Sequence, residues 1–293
     1  MPRPPASSSR RHVPRPSGRG SSCRSHRARG TGAGERRGND VETHDQQILD
    51  QFTKQASLFQ ATHRAAEDAI RHAIAVSGVT GNDTVLDVAC GPGVLTCSFA
   101  RVARHVTGID ITPKMLDEAR ALQETSQVRN VSWQLGDVYH MPFEDGCFSM
   151  IITRYALHHL ERPEAVVAEM ARVCQPGGQV VIIDSAPPPE KAVAFNDIER
   201  LRDPSHTTAL TQEGITEIVE RHGLRVVRRL LYAWEVTAES LLARSFPADG
   251  DRAKILRIYE ADVDVDRLAM NARYVDGTLH VTLPTLITIG RKP

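Results

Sequence analysis

The run Thr84-Val85-Leu86-Asp87-Val88-Ala89-Cys90-Gly91-Pro92-Gly93-Val94-Leu95-Thr96 decides the fold. Its first half is a short, mostly apolar stretch bounded by turn residues, which reads as a buried strand. A Gly-Pro-Gly turn follows, and a helix is expected from Val94 to Ala103. Two glycines between a strand and a helix let the backbone approach a ligand, and the helix start offers unpaired N–H groups. In open α/β sheets ligands bind beyond the carboxyl ends of the strands, where this turn lies. A G-x-G alone is weak. The dinucleotide fingerprint asks for a third glycine where Thr96 stands, and the Lys-Ser/Thr of a phosphate-binding loop is absent.

Outward from this run, strand and helix patterns alternate. Upstream, residues 43–77 carry helical periodicity through Ile48, Phe52, Leu58, Phe59, Ala65, Ala69, Ala73 and Val76, with Gly78 as a stop. Downstream come a strand at His105–Asp110 and a helix capped by Thr112 with Pro113 at its first position. Strands follow at Val131–Leu135 and Phe148–Thr153, then a helix at Pro163–Val173 closed by Pro176-Gly177-Gly178, then a strand at Gln179–Asp184. This rhythm predicts right-handed crossovers, hence an α/β fold with a parallel sheet covered by helices on both faces. The rhythm then breaks. Helices are expected through Phe195–Leu201, ending before Pro204, and from Thr211 to Gly223. A sixth strand covers Leu224–Leu231, a helical insert carries Ile255, Ile258 and Tyr259, and a last strand covers His280–Ile289. Pro284 inside that strand predicts a bulge or irregularity.

Carboxylates stand at the ends of the first three strands: Asp87, Asp110 and Asp137. Asp110 follows Gly91 by 19 residues, a placement suited to accepting hydrogen bonds from two ribose hydroxyls. Asp137 could accept from an adenine amino group, with the Val138 N–H meeting the ring. One strand-end aspartate is most often a loop or helix cap. Three together are harder to explain that way.

At these residues the sequence resembles the class I S-adenosylmethionine (SAM)-dependent methyltransferases, and within them the bacterial small-molecule group that includes the ubiquinone/menaquinone C-methyltransferases. The resemblance is carried by Val85–Gly93, Gly108-Ile-Asp-Ile-Thr-Pro-Lys-Met-Leu116, Gly136-Asp-Val-Tyr-His-Met-Pro-Phe143, Arg154-Tyr-Ala-Leu-His-His-Leu160 and Val173-Cys-Gln-Pro-Gly-Gly178. It is strong over about residues 45–185 and loose elsewhere in 41–293. It implies a Rossmann-like sheet of order 3-2-1-4-5-7-6 with an antiparallel strand seven, helical lid elements at 43–77 and 190–275, and S-adenosyl-L-methionine as cofactor. It implies roles as well. Asp87, Ala89 and the Gly91–Gly93 turn would cradle the methionine portion, and Asp110 the ribose. Ile111 and Met115 would flank the adenine, whose edge Asp137 and Val138 would read. The Arg154 backbone carbonyl would meet the cofactor's amino group. For Met115, helix core is an equal reading.

Positioning alone can supply on the order of 7–11 kcal/mol of a bimolecular barrier, so a dedicated base is optional. Candidates stand after the fourth strand nonetheless: Tyr155, His158 and His159. A neutral histidine could take a phenol or enol proton near neutral pH. His206, in Arg202-Asp-Pro-Ser-His206, could reach the site from the lid region or simply cap the helix at 211.

The 36 basic and 36 acidic residues cancel to a net charge of zero, but unevenly. Residues 1–40 hold ten arginines, no lysine, and only Glu35 and Asp40 as acids, a charge of +8; residues 41–293 carry −8. The first segment is rich in Ser, Gly and Pro, buries nothing, and is expected to be disordered. It has no apolar stretch for a secretory signal, and its Pro and Gly residues oppose the amphipathic helix of a transit peptide. A basic nucleic-acid arm is a further alternative; we read the segment as dispensable, an over-extended gene start. The acidic body argues against nucleic acid. So do Thr153-Arg-Tyr-Ala in place of the Asn/Asp-Pro-Pro-aromatic motif of amino-methylating enzymes, and the lack of any Pro-Cys. Five cysteines without C-x-x-C spacing predict neither a zinc site nor a disulfide framework, and no metal is expected. Apolar runs reach six or seven residues, too short for a membrane span.

The expectation is a cytoplasmic enzyme, monomer or homodimer, that methylates a small molecule. The rivals are an NAD(P)-dependent Rossmann oxidoreductase and a SAM-binding protein without catalysis.

Overall fold

The computed structural model describes residues 46, 48–53 and 63–293, with residues 63–67 described by backbone alone. The tail expected at 1–40 and the stretch 54–62, with Leu58 and Phe59, lie outside the described residues. Of the helical pattern at 43–77, residues 48–53 and α1 (His63–Ser77) are helical. Then follow β1 (Thr84–Val88), α2 (Val94–Ala100), β2 (His105–Asp110), α3 (Pro113–Ser126), β3 (Val131–Leu135), β4 (Phe148–Arg154), α4 (Pro163–Val173) and β5 (Cys174–Ser185). The second half holds α5 (Ala192–Arg202), α6 (Gln212–Arg221), β6 (Arg225–Thr237), α7 (Ala238–Leu242), α8 (Asp251–Ala261), β7 (Arg273–Val275) and β8 (Thr278–Arg291).

One sheet runs in the order β3-β2-β1-β4-β5-β8-β6, with β7 paired to β8. β1 to β5 are mutually parallel, and β8 is antiparallel to both β5 and β6. This is the expected order with one strand added, so the C-terminal strand is the eighth. The added β7 turns into β8 through Asp276-Gly277, both at positive φ (48° and 79°). Asp-Gly is the pair a two-residue hairpin asks for.

Alternate side chains along each central strand feed opposite faces. Val85, Met150, Ile152, Val181 and Ile183 pack with Ile70 of α1 and Leu95 and Phe99 of α2. Leu86, Val88, Ile151, Val180 and Ile182 pack with Val166 and Met170 of α4 and Ile215 of α6. A third cluster stands apart: Phe195 and Ile198 from α5, Leu241 and Leu242 from α7, Ile255 and Tyr259 from α8, with Val281 and Leu283 of β8. It gives the 190–275 region a core of its own.

Three local expectations are corrected. Pro176-Gly177-Gly178 does not precede β5 but lies inside it. The β4 register jumps from Phe148↔Cys174 to Met150↔Gln179 around this bulge, and a Cβ on Gly178 would come within 2.7 Å of the Ser149 carbonyl. β6 runs on to Thr237, because β8 is long enough to pair with it throughout. Pro284 causes no break. Its carbonyl accepts from Ala186 N–H, so its missing donor faces the β5 side, where the ladder ends at Ser185↔Thr285. The register shift lies in β6 instead, between Val226 and Arg228.

Candidate active site

The carboxyl ends of β1, β2 and β4 open into a cavity of about 270 Å³. Asp87, Asp110 and Asp137 all line it, as do Ala89, Gly91, Ile111, Met115, Val138, Arg154, His158 and His159. Ile48 and Phe52 enter from the N-terminal helix, and Glu199, Arg202, Trp234, Leu241, Arg244 and Leu283 from the second half. Chain segments far apart in sequence therefore share one chamber.

Asp110 is the anchor of the β1–β2 side. One carboxylate oxygen accepts the Gly91 N–H and the other the Thr112 N–H, each at 2.8 Å. Burial pushes its pKa up against those two bonds. Each oxygen keeps a lone pair for a hydroxyl donor. Asp87 is deeper. Burial raises it to about 7, the Thr96 hydroxyl opposing and the Asp110 charge adding to the rise. Thr96 donates to Asp87 at 2.5 Å and is fully buried. The residue that breaks the dinucleotide fingerprint thus holds the first strand-end carboxylate in place. Asp137 is less confined: it accepts the Tyr139 N–H at 2.8 Å and faces the His140 ring nitrogen at 3.2 Å.

Two of the eight non-glycine residues at positive φ among the described residues line this cavity. Ala89 and Tyr155, at the ends of β1 and β4, sit at φ 55° and 52°. Left-handed backbone at a residue with a Cβ costs roughly 1–2 kcal/mol, and such strain concentrates at ligand sites. The two turn glycines differ. A Cβ on Gly91 would meet nothing within 4 Å. One on Gly93 would come within 2.5 Å of the Trp133 ring and 2.9 Å of Ala119. Gly93, expected in the cradle, is not among the cavity residues; it lets α2 start against Trp133.

His158 and Asp184 form a buried pair through the imidazole Nδ1. The other Asp184 oxygen accepts the Leu157 N–H at 2.8 Å. Burial would lower the His158 pKa, but the Asp184 carboxylate outweighs it and the net shift is upward. His159 goes the other way: burial and the His158 charge lower it to about 4, and its Nδ1 faces the Ser205 carbonyl and hydroxyl. His206 fulfils neither expectation. It does not line the cavity, and Thr211 caps α6 with its own hydroxyl at 3.0 Å from the Gly214 N–H. Instead His206 Nε2 bonds Asn196 Oδ1 at 2.7 Å, and burial pushes its pKa down to about 2. In the same motif Arg202 makes a bidentate pair with Glu199 (2.8 and 2.6 Å) and donates to the Ser245 hydroxyl.

The sequence reading missed four contributors. Asp184 had a signal, as a carboxylate ending the fifth strand. Thr96 was seen only as a departure from a fingerprint. Trp234 and Arg244 had no local signal, since the sheet edge and α7 alone bring them to the cavity. Among the described residues no group of His, Cys, Asp and Glu is arranged to hold a metal ion, and no helix is long and apolar enough to cross a membrane.

Residues 86–182, which span β1 to β5 and the three strand-end aspartates, match the methyltransferase domain family Methyltransf_11. Over these residues the chain is similar to a methyltransferase domain. The chain is 30% identical over 158 residues to the uncharacterized methyltransferase YcgJ of Bacillus subtilis (strain 168), covering 53% of this chain and 62% of that protein. It is 34% identical over 152 residues to a demethylmenaquinone methyltransferase of Tropheryma whipplei (strain Twist), covering 50% and 62%. The chain thus spans less than two thirds of the length of these curated relatives. The solved structure of BH2331 from Bacillus halodurans C-125 superposes with a TM-score of 0.70 at 26% identity, over 76% of this chain and 98% of that one. The domain and these neighbours place the sheet in the Rossmann-like class I methyltransferase fold.

Proposed function

We propose that this protein transfers a methyl group from SAM to a small-molecule acceptor by in-line displacement. The observation that carries the reading is the convergence of Asp87, Asp110 and Asp137 on one cavity that His158, paired with Asp184 behind it, also lines. The residues fit the cofactor. Asp110 has lone pairs left for two ribose hydroxyls, and Gly91 leaves open room where a side chain would intrude. Asp87, near neutrality in the free protein, would become a full carboxylate against a cationic group. Ile111 and Met115, which line the cavity, would offer apolar surface to an adenine, Asp137 and Val138 would read its edge, and the Arg154 carbonyl would accept from the amino group.

The cofactor supplies an electrophilic methyl on a sulfonium. The protein's part is to align the acceptor, exclude water and take up a proton where the acceptor loses one. Ile48 and Phe52 with the 190–275 elements act as the lid that excludes water. His158, oriented through Nδ1 by Asp184, is the proton acceptor through its other ring nitrogen. His159 has its Nδ1 engaged with Ser205 and serves as packing. The body's charge of −8 favours a small molecule over a nucleic acid as acceptor.

A screen with isotopically methyl-labelled SAM over a metabolite panel, read by mass spectrometry, tests this. Label should appear in a small organic product. Label found only in nucleic acid, or in nothing while SAM binds, would overturn the proposal.

A further inference from the structure

One wall of the cavity carries two arginines set about a single indole ring. Arg154, at the end of β4, places its guanidinium carbon 4.7 Å from the Tyr155 ring centre and 5.9 Å from that of Trp234. Arg244, just after α7, places its own 4.9 Å from the same indole. All four residues line the cavity. Neither guanidinium makes an ion pair among the described residues, whereas the neighbouring Arg202 is neutralised by Glu199. Arg244 donates through Nε to the Ser240 carbonyl, and the charges it feels most are those of Arg202 and Arg154. Burial, first of all, lowers the pKa of both Arg154 and Arg244. The Trp234 Nε1–H is buried without a partner. The Tyr155 hydroxyl is already bonded to the Thr285 hydroxyl at 2.6 Å.

Aromatic faces attract guanidinium groups but accept few of their hydrogen bonds, and a desolvated cation without a counter-charge is costly. A buried indole N–H without a partner adds an unmet donor. Two guanidinium groups without an ion-pair partner beside one ring call for an anion with several acceptor oxygens. Of the strand-end acids only Asp87 bears on Arg154, without an ion-pair contact, and no carboxylate bears on Arg244, so the Arg244 side of this wall is left for the second substrate.

We propose that Arg154, Trp234 and Arg244 form a subsite for an oxyanion, a carboxylate or a phosphate, carried by the methyl acceptor. The inference rests on the methyltransferase reading and narrows it: the acceptor is an acid, held by its charged end while its nucleophilic atom faces the methyl group.

The test uses the full chain saturated with S-adenosylhomocysteine, titrated with benzoate, phenyl phosphate and neutral benzamide by ligand-observed NMR. The anions should bind at least tenfold more tightly than benzamide. Arg244→Gln should abolish that preference, Arg244→Lys should restore part of it, and Trp234→Phe should weaken it severalfold. S-adenosylhomocysteine affinity should stay within twofold in all three variants, which also shows that they fold. Equal binding of benzoate and benzamide, or an unchanged preference in Arg244→Gln, would overturn the subsite. The other source of an oxyanion is the cofactor's own carboxylate. If Arg154→Gln and Arg244→Gln weaken S-adenosylhomocysteine but not 5′-methylthioadenosine, which lacks that carboxylate, the acceptor assignment is overturned. Failure of the unsubstituted protein to bind S-adenosylhomocysteine would remove the methyltransferase reading itself, a result distinct from loss of anion preference.

Discussion

Asp184 grips His158 through its imidazole Nδ1 and, with its other oxygen, accepts the N–H of Leu157 next door at 2.8 Å. The carboxylate thereby fixes both the ring and the turn that carries it, and leaves Nε2 as the one ring nitrogen for chemistry. Burial lowers the His158 pKa, but the charge and hydrogen bond of Asp184 outweigh it, so the ring holds its proton to a higher pH than an ordinary imidazole. A base with a raised pKa works only once that proton is gone. The rate of methyl transfer should therefore climb with pH through a value above 6.5. His158→Gln should lower kcat by about 10²–10⁴-fold with little change in SAM affinity. Asp184→Asn should shift the climbing limb to lower pH. A pH–rate profile that ignores both substitutions would remove His158 as the base.

Asp87 makes a prediction about protons. Its pKa of about 7 in the free protein is the work of burial, opposed by Thr96 and reinforced by Asp110. A raised carboxyl is largely protonated below 7 and gives up its proton when a cation arrives beside it. Binding of S-adenosylhomocysteine, which brings an ammonium, should release a fraction of a proton near pH 7. Calorimetry in buffers of different ionisation enthalpy measures the number. Asp87→Asn should abolish the release; the same release in that variant would place its source elsewhere.

The two turn glycines should separate packing from binding. Gly93→Ala puts a methyl into Trp133 and Ala119 and forces a non-glycine residue to φ 78°. Overpacking and left-handed strain together should cost about 2–4 kcal/mol of stability. Gly91→Ala meets open space at φ 53°, so only the strain remains, about 1 kcal/mol, while S-adenosylhomocysteine affinity falls. Chemical denaturation and titration on both variants check this. Equal stability losses would contradict the division of labour.

His206 should make the protein sensitive to acid. Folded, it resists protonation until about pH 2, because burial and the charges of His158, His159 and Arg202 oppose it. Unfolded, it takes a proton near 6.5. Stability from this group is therefore lost as pH falls below 6.5, at up to about 1.4 kcal/mol per pH unit. His206→Gln, which can still donate to Asn196, removes that dependence. The stability advantage of the unsubstituted protein over the variant should shrink by about 2 kcal/mol between pH 7 and 5. Parallel stability curves would mean that His206 does not resist protonation.

The parallel half of the sheet was legible because β1, β2 and β5 are largely apolar runs with an aspartate last or next to last, and β3 is followed at once by Gly136-Asp137. The same residues, Asp87, Gly91, Asp110 and Asp137, mark both strand ends and cavity, so one pattern served fold and site together. β7 was missed at three residues, though Asp276-Gly277 announced its hairpin. The packing of Gly93 against Trp133 was not legible, because sequence shows that a glycine is needed but not which neighbour needs it. His206 was misplaced because a motif places residues along the chain, whereas Asn196, ten residues earlier on α5, takes its nitrogen. Trp234 and Arg244 come to the cavity only through the pairing of β6 with β8 and the packing of α7, relations between distant segments that local periodicity does not carry.

The central claim is that the strand-end carboxylates hold an adenosyl sulfonium cofactor, with Asp110 on its ribose. Side-by-side calorimetric titration with S-adenosylhomocysteine and NAD, on the unsubstituted chain and on Asp110→Ala, tests it most directly. S-adenosylhomocysteine should bind and NAD should not, and Asp110→Ala should weaken binding at least tenfold through loss of charge-assisted bonds worth about 1.5–3 kcal/mol each. NAD binding without S-adenosylhomocysteine binding would contradict the account.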